Sequence, residues 1–152
     1  MLRLIGNLIW MFFGGLETAL GWFIACAICA ISIVGIPWAR ACFNIGLFAL
    51  WPFGSEAVDR SVLYGEKDVG TGVLGMIGNV VWFVVAGWWL AIAHVFAAIL
   101  NALTIIGIPF AVVHLKLAGI ALFPIGKAII PKDEAYRGGL QIPRVPGGSP
   151  RE

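Results

Sequence analysis

Residues 33–39 read Ile33-Val34-Gly35-Ile36-Pro37-Trp38-Ala39, and 72 residues later the chain reads Ile105-Ile106-Gly107-Ile108-Pro109-Phe110-Ala111. At the same offset, 16 of the 49 positions from Gly6 to Gly54 are identical to residues 78–126, and no gap is needed. The identical positions include glycines and prolines, which fix the shape of the backbone. The chain is therefore predicted to consist of two copies of one structural unit.

Two further blocks repeat with the Gly-Ile-Pro stretch and complete a structural motif. In each copy, glycine suits the C-terminal cap of one helix and proline suits the first turn of the next. The asparagines are expected to precede their helices and fit N-caps, and the tryptophans fit anchors at the membrane interface. The motif comprises Asn7, Trp10, Gly35, Ile36, Pro37, Pro52 and Gly54, and their copies Asn79, Trp82, Gly107, Ile108, Pro109, Pro124 and Gly126.

The composition predicts an integral membrane protein. Hydrophobic residues make up 61% of the chain and charged residues 12%, and the mean hydropathy is +0.97. Soluble domains carry about 25% charged residues, so lipid must solvate much of this surface. The net charge of +2 is too small for a nucleic-acid partner. The first apolar run is too long for a signal peptide, so it is expected to remain as a membrane anchor.

The long apolar run from Leu4 to Val34 contains one charged residue, Glu17. As one straight helix it would extend about 46 Å, against a hydrocarbon core of about 30 Å. We therefore expect a break at Gly14-Gly15, since glycine pairs are common sites of helix kinks. The helix after the Gly-Ile-Pro turn is short, so it either crosses a thinned bilayer or re-enters on the same side.

The predicted fold is an all-α membrane protein made of two tandem helical-hairpin repeats, with about four transmembrane or re-entrant helices. Its segments are membrane repeat 1 (1–54), a polar cytoplasmic linker (55–72), membrane repeat 2 (73–130) and a disordered cytoplasmic tail (131–152). In repeat 2 the return helix is expected to run from Phe110 to Ile130. Proline and glycine in the tail are typical of disorder.

The distribution of lysine and arginine predicts the orientation. The two ends and the linker carry eight of these residues, whereas the side of the Gly-Ile-Pro turns carries only Arg40. The positive-inside rule then places both termini and the linker in the cytoplasm. Each unit would cross the membrane twice, and the two units would be parallel repeats. Because four short helices enclose little interior, a homo-oligomer is expected.

The repeated Asn-x-x-Trp, Gly-Ile-Pro and Pro-x-Gly blocks make the chain resemble the YccF family of bacterial inner-membrane proteins. The resemblance covers about Leu4 to Ile130, and Lys116, Gly87, Trp88 and Trp89 also contribute to it. It implies a multi-pass protein of the bacterial inner membrane that contacts lipid. It brings no catalytic residue, metal or cofactor, because the family has no established activity.

The side chains that could carry chemistry are few. A polar path could be lined by Glu17, Asn44, His114 and Lys116, with an ion pair between Glu17 and Lys116. Alternatively, Glu17 is hydrated at the interface, and Asn44 and Lys116 join helices by hydrogen bonds. His94 aligns with Trp22 of the first copy, which favours a packed, hydrogen-bonded histidine.

Two functional classes follow. The first is a structural or accessory membrane component that packs with itself or with other membrane proteins. The second is an oligomeric ion channel or small-solute transporter subunit that uses the polar path. The pair Cys26-x-x-Cys29 raises a third, redox activity, but its apolar surroundings favour small packing residues. The sequence therefore predicts no enzyme and no cofactor.

Overall fold

The computed structural model describes residues 1–33, 35–64 and 70–132. Helices α1 (Leu2–Trp10) and α2 (Leu16–Ile31) are joined by a π-helical turn (Met11–Gly15) and are followed by α3 (Ile36–Leu50), strand β1 (Ser55–Asp59) and the short helix α4 (Arg60–Tyr64). Helices α5 (Val73–Trp82) and α6 (Trp88–Ala102) are joined by a second π-helical turn (Phe83–Gly87) and are followed by α7 (Ile108–Leu122) and strand β2 (Lys127–Pro131).

Each repeat is a helical hairpin, as predicted: α2 packs along α3, and α6 packs along α7. The break predicted at Gly14-Gly15 is confirmed, because Gly14 has non-helical dihedral angles (φ 160°, ψ −19°) within the first π-helical turn. The stretches Leu2–Ile31 and Val73–Ala102 are each 30 residues long and apolar enough to cross a membrane by length and composition.

The two Gly-Ile-Pro turns differ from the prediction in the role of glycine. Gly35 is the N-cap of α3 (φ −79°, ψ −3°), not a C-terminal cap, and Gly107 is the N-cap of α7 (φ −79°, ψ −12°). Glycine is needed at this position because there is no room for a side chain: a Cβ on Gly35 would lie 2.5 Å from the carbonyl oxygen of Cys29. The prolines do lie in the first turns of α3 and α7, as predicted.

A two-stranded antiparallel sheet, here called the ribbon, joins the two repeats. It corrects the prediction of a return helix to Ile130, since α7 ends at Leu122 and β2 follows. Proline and then Gly126, with a positive φ of 91°, prevent the helix from continuing. The central pair of the ribbon is Ala57 with Ile129, which are 72 positions apart and therefore equivalent. An approximate two-fold axis thus passes through the centre of the ribbon.

The helices form two layers on one side of the ribbon. Helix α3 has seven buried residues and α7 has eight, whereas α2 and α6 have two each. Lys116 of α7 contacts Glu56 of the ribbon, while His114 contacts His94 of α6. Two residues apart on a helix, these side chains point in nearly opposite directions. Helices α3 and α7 therefore form a middle layer between the ribbon and the outer layer of α2 and α6.

The two hairpins run in opposite directions along the ribbon and are related by the two-fold axis through its centre. The Trp38 Nε1–H, at the turn of the first hairpin, donates to the carbonyl oxygen of Gly78 at the open end of the second (3.1 Å). At the other end, Phe110, the equivalent of Trp38, lies with its ring 6.2 Å from that of Phe53, at the open end of the first hairpin. The antiparallel ribbon imposes this arrangement on the helices attached to it. The prediction of parallel repeats concerns orientation in the membrane and stays a prediction.

Candidate functional site

The repeated asparagines hold the open end of each hairpin closed. Asn7 Nδ2 donates to the carbonyl oxygen of Phe53, and the Phe53 amide donates back to Asn7 Oδ1, both at 2.9 Å. Asn79 makes the same two bonds with Ile125, at 3.0 and 2.9 Å. Each pair of bonds is called here an asparagine clasp. Each clasp holds the backbone of the residue that follows the repeated proline, Phe53 after Pro52 and Ile125 after Pro124.

The clasps replace the N-caps that the sequence predicted. Helix α1 begins at Leu2, five residues before Asn7, and α5 begins at Val73, six residues before Asn79. An N-cap side chain would bind the first turn of its own helix. These side chains instead reach across the hairpin to a chain segment 46 residues away.

The repeated tryptophans lie in the core, so the prediction that they anchor the protein at the interface is wrong. Trp10 is 1% exposed and Trp82 is 7% exposed. Their indole N–H groups donate to the carbonyl oxygens of Ala49 (2.6 Å) and Ala121 (2.8 Å). These carbonyls belong to the last turns of α3 and α7, where no helical N–H follows to pair with them. The indoles therefore satisfy the helix ends from inside the protein.

The outer helices α2 and α6 border an open cavity of about 550 Å³, here called the groove. Its polar lining consists of Glu17 and Thr18 from α2, His94 from α6 and His114 from α7. The two histidines approach through their Nδ1 atoms, 3.2 Å apart, so one can donate to the other. The imidazole of His94 also stacks on Trp22, its equivalent in the first copy (6.3 Å, 6° between planes), which confirms the prediction of a packed, hydrogen-bonded histidine.

The structure brings together only two of the four residues assigned to the polar path. Glu17 and His114 share the groove, whereas Asn44 lines a small separate cavity beside Arg40. Lys116 lies on the other side of α7, where its Nζ is 3.2 Å from both carboxylate oxygens of Glu56. The predicted ion pair between Glu17 and Lys116 is therefore wrong.

Glu56 is the partner that sequence reasoning missed. It lies in β1, and Lys132 also approaches it, with Nζ 3.7 Å from Oε2. A second ribbon pair joins Lys127 to Asp59 at 2.8 Å. The sequence signal was the charge run that begins at Glu56, which was assigned to the polar linker (55–72).

A double-mutant cycle should detect the contact between Lys116 and Glu56. We expect Lys116→Met and Glu56→Gln to be non-additive in the free energy of unfolding, with a coupling of ~0.5–1 kcal/mol for this partly exposed pair. The cycle of Lys116→Met with Glu17→Gln is the matched control and should be additive. Reversible unfolding in mixed detergent micelles, followed by circular dichroism, measures both. Coupling to Glu17 and none to Glu56 would contradict the structure.

The cysteines show no arrangement typical of metal binding. Within residues 1–33, 35–64 and 70–132, no group of three or more His, Cys, Asp or Glu side chains could hold a metal ion. Cys26, Cys29 and Cys42 are free thiols. Cys42 belongs to the core, and the other two pack against it.

Comparisons with known proteins agree with the internal duplication. Residues 5–55 and 77–127 each match the family model described as the YccF inner membrane component domain. The Inner membrane protein YccF of Escherichia coli (strain K12) is 33% identical over 135 residues, which cover 88% of this chain and 91% of the relative. The protein of the same name from Shigella flexneri matches with the same identity and coverage. No solved structure matches the chain.

Proposed function

We propose that the chain, which belongs to the YccF family of inner membrane component domains, is a structural or accessory component of the inner membrane. In this role it assembles by helix packing, with copies of itself or with other membrane proteins. The proposal assigns it no catalytic activity.

The observation that supports this role most directly is the use of the repeated polar side chains. Both asparagines and both tryptophans of the duplicated motif bond to the backbone of their own hairpin. Lys116, the charged residue of the return helix α7, pairs with Glu56 of the ribbon. The residues that the two copies share thus hold the fold together, as expected for a protein that works by its shape and packing.

The proposed orientation places the N-terminus and the ribbon in the cytoplasm. Arg3, Arg60, Lys127 and Lys132 lie on or beside the ribbon and the clasps. Cytoplasmic segments of membrane proteins carry an excess of lysine and arginine. The ribbon therefore faces the cytoplasm.

A second candidate function, an ion or small-solute path, is favoured by the groove. It places a carboxylate, a hydroxyl and two imidazoles along one cavity between apolar helices. Ionisable groups in such surroundings are rare and often mark ion or proton pathways. In this version the path uses Glu17, Thr18, His94 and His114, and neither Asn44 nor Lys116.

Ion flux in liposomes distinguishes the two functions. For a structural component we expect purified protein to give no flux of K⁺, Na⁺, Cl⁻ or H⁺ above that of protein-free liposomes. If the groove conducts, flux should appear and fall several-fold in Glu17→Gln and His114→Ala, whereas Lys116→Met, on the opposite face of α7, should leave it unchanged. Flux with this pattern of sensitivity would overturn the structural role. Mass photometry of the same samples gives the number of copies per particle.

A further inference from the structure

The two faces of the molecule have opposite character. Among the described residues, the charged side chains of the ribbon face include Glu56, Asp59, Arg60, Lys116, Lys127 and Lys132. The outer face, formed by α2 and α6, is apolar, and within residues 1–33, 35–64 and 70–132 no protein layer lies over it. Its large side chains are half or more exposed, among them Leu20, Ile24, Ile28, Ile92, Phe96 and Ile99.

Helix α3 lies parallel to the ribbon face along its whole length. Near its start, Pro37 and Arg40 line a cavity together with Arg60 and Lys127. Near its end, Phe48 lines a cavity with Glu56 and other ribbon residues. Because of the two-fold axis, α7 also lies along the ribbon, and it runs in the direction opposite to α3. If either helix crossed a bilayer, the ribbon would have to extend through the hydrocarbon beside it.

The energetic cost of that arrangement is large. A charged side chain at mid-bilayer costs about 2.5–3.5 kcal/mol on insertion scales. At least five of the six charged side chains named on the ribbon face take part in ion pairs, but four cations and two carboxylates leave a net charge of +2 there. In the described part of the chain the sheet has two strands, so each strand also has an unpaired edge. Open sheet edges do not occur in contact with lipid hydrocarbon, because their backbone groups would lack hydrogen-bond partners.

The opposite arrangement places few polar groups in lipid. With the ribbon at the headgroups and the helices in the membrane plane, the outer face contacts acyl chains. Glu17, at the edge of the groove, is then the charged side chain of α2 and α6 that lies at hydrocarbon depth. The return helices also suit this arrangement, since 15 residues span about 22 Å, less than the hydrocarbon core of about 30 Å.

We propose that the chain inserts into one leaflet of the membrane, with its helices in the membrane plane and the ribbon at the headgroup layer. The partner of the outer face is the acyl-chain layer of that leaflet. Lys127 and Lys132 lie at the level of the phosphates and favour anionic lipid. The whole fold is thus amphipathic in the way that a single interfacial helix is, with one apolar and one charged face. One copy then offers no path across the bilayer.

Spin labels along the outer face of α2 test the inference. The three native cysteines, Cys26, Cys29 and Cys42, are first replaced by alanine. A single cysteine is then introduced at position 20, 24, 28 or 31 and labelled with a nitroxide, and each variant is placed in liposomes of neutral and anionic phospholipid. The ratio of collisions with oxygen and with a nickel chelate reports depth. We expect similar depths at all four positions. A crossing helix would change depth by about 16 Å between residues 20 and 31, at 1.5 Å per residue, and that gradient would overturn the proposal. A label at Val62, beside the ribbon, is the shallow reference.

Oriented circular dichroism of the unmodified chain tests the same geometry without substitutions. Helices in the plane of aligned bilayers retain the negative band near 208 nm at normal incidence, whereas helices along the membrane normal lose it. Retention of the band supports insertion into one leaflet, and its loss would overturn it. The result is independent of ion flux, so failure of this inference and failure of the structural role are distinguishable.

Discussion

Asn7→Ala is expected to lower the free energy of unfolding by about 2–6 kcal/mol. The substitution removes both bonds of the first asparagine clasp and leaves the amide and carbonyl of Phe53 without their partner. A buried group left unpaired costs about 1–3 kcal/mol, and two are involved. Because Asn7 is 0% exposed, water does not readily replace the lost bonds.

Two further asparagines provide graded controls. Asn79→Ala should cost less than Asn7→Ala, since Asn79 makes the same bonds but is only half-buried. Asn101→Ala should cost little, because its Nδ2 donates only to the carbonyl oxygen of Ala97 within the same helix. Unfolding in mixed micelles at increasing dodecyl sulfate gives the three values. An equal loss in Asn7→Ala and Asn101→Ala would show that the clasp does not hold the hairpin.

Gly107→Ala and Gly119→Ala are expected to change stability in opposite directions, although both replace a glycine in or beside α7. A Cβ on Gly107 would overlap the carbonyl oxygen of Asn101 and the Oγ1 of Thr104, so the turn must shift. Forcing an extra carbon into such a site costs about 1–3 kcal/mol. A Cβ on Gly119 meets nothing within 4 Å, and alanine in a helix is favoured over glycine by up to ~1 kcal/mol.

Thermal unfolding in detergent, followed by circular dichroism, measures both glycine variants under one condition. We expect a lower midpoint for Gly107→Ala and an unchanged or higher midpoint for Gly119→Ala. Gly35→Ala should resemble Gly107→Ala, because its Cβ would meet the equivalent carbonyl of Cys29. Stabilisation by Gly107→Ala would mean that the turn is not as closely packed as the structure shows.

Local features of the fold were predictable from the sequence because they depend on nearby residues. Glycine and proline act on their own backbone, so the turns at Pro37 and Pro109 and the break at Gly14 could be located. The high hydropathy of the two long stretches, Leu2–Ile31 and Val73–Ala102, predicts contact with lipid whatever their tertiary packing. The fixed offset of 72 revealed two equivalent hairpins without any knowledge of their contacts.

The candidate site was less predictable, because its contacts join residues that are far apart in the chain. Glu17 and His114 were chosen for their unusual apolar surroundings, and the structure places both in the groove. Lys116 met the same criterion but faces the ribbon, because it lies two positions further along the helix. Its partner Glu56 is 60 residues away, in a strand that forms only by pairing with β2.

The sequence by itself determined the membrane environment, the duplication and the helical hairpin of each copy, since composition and local backbone chemistry suffice for these. Only the tertiary structure decided how the copies are arranged. Antiparallel pairing of β1 with β2 across the two-fold axis turns the hairpins in opposite directions. It also brings the asparagine clasps, the groove and the Lys116–Glu56 pair into their positions. Strand pairing depends on long-range backbone hydrogen bonds, which leave no periodic pattern in either strand alone.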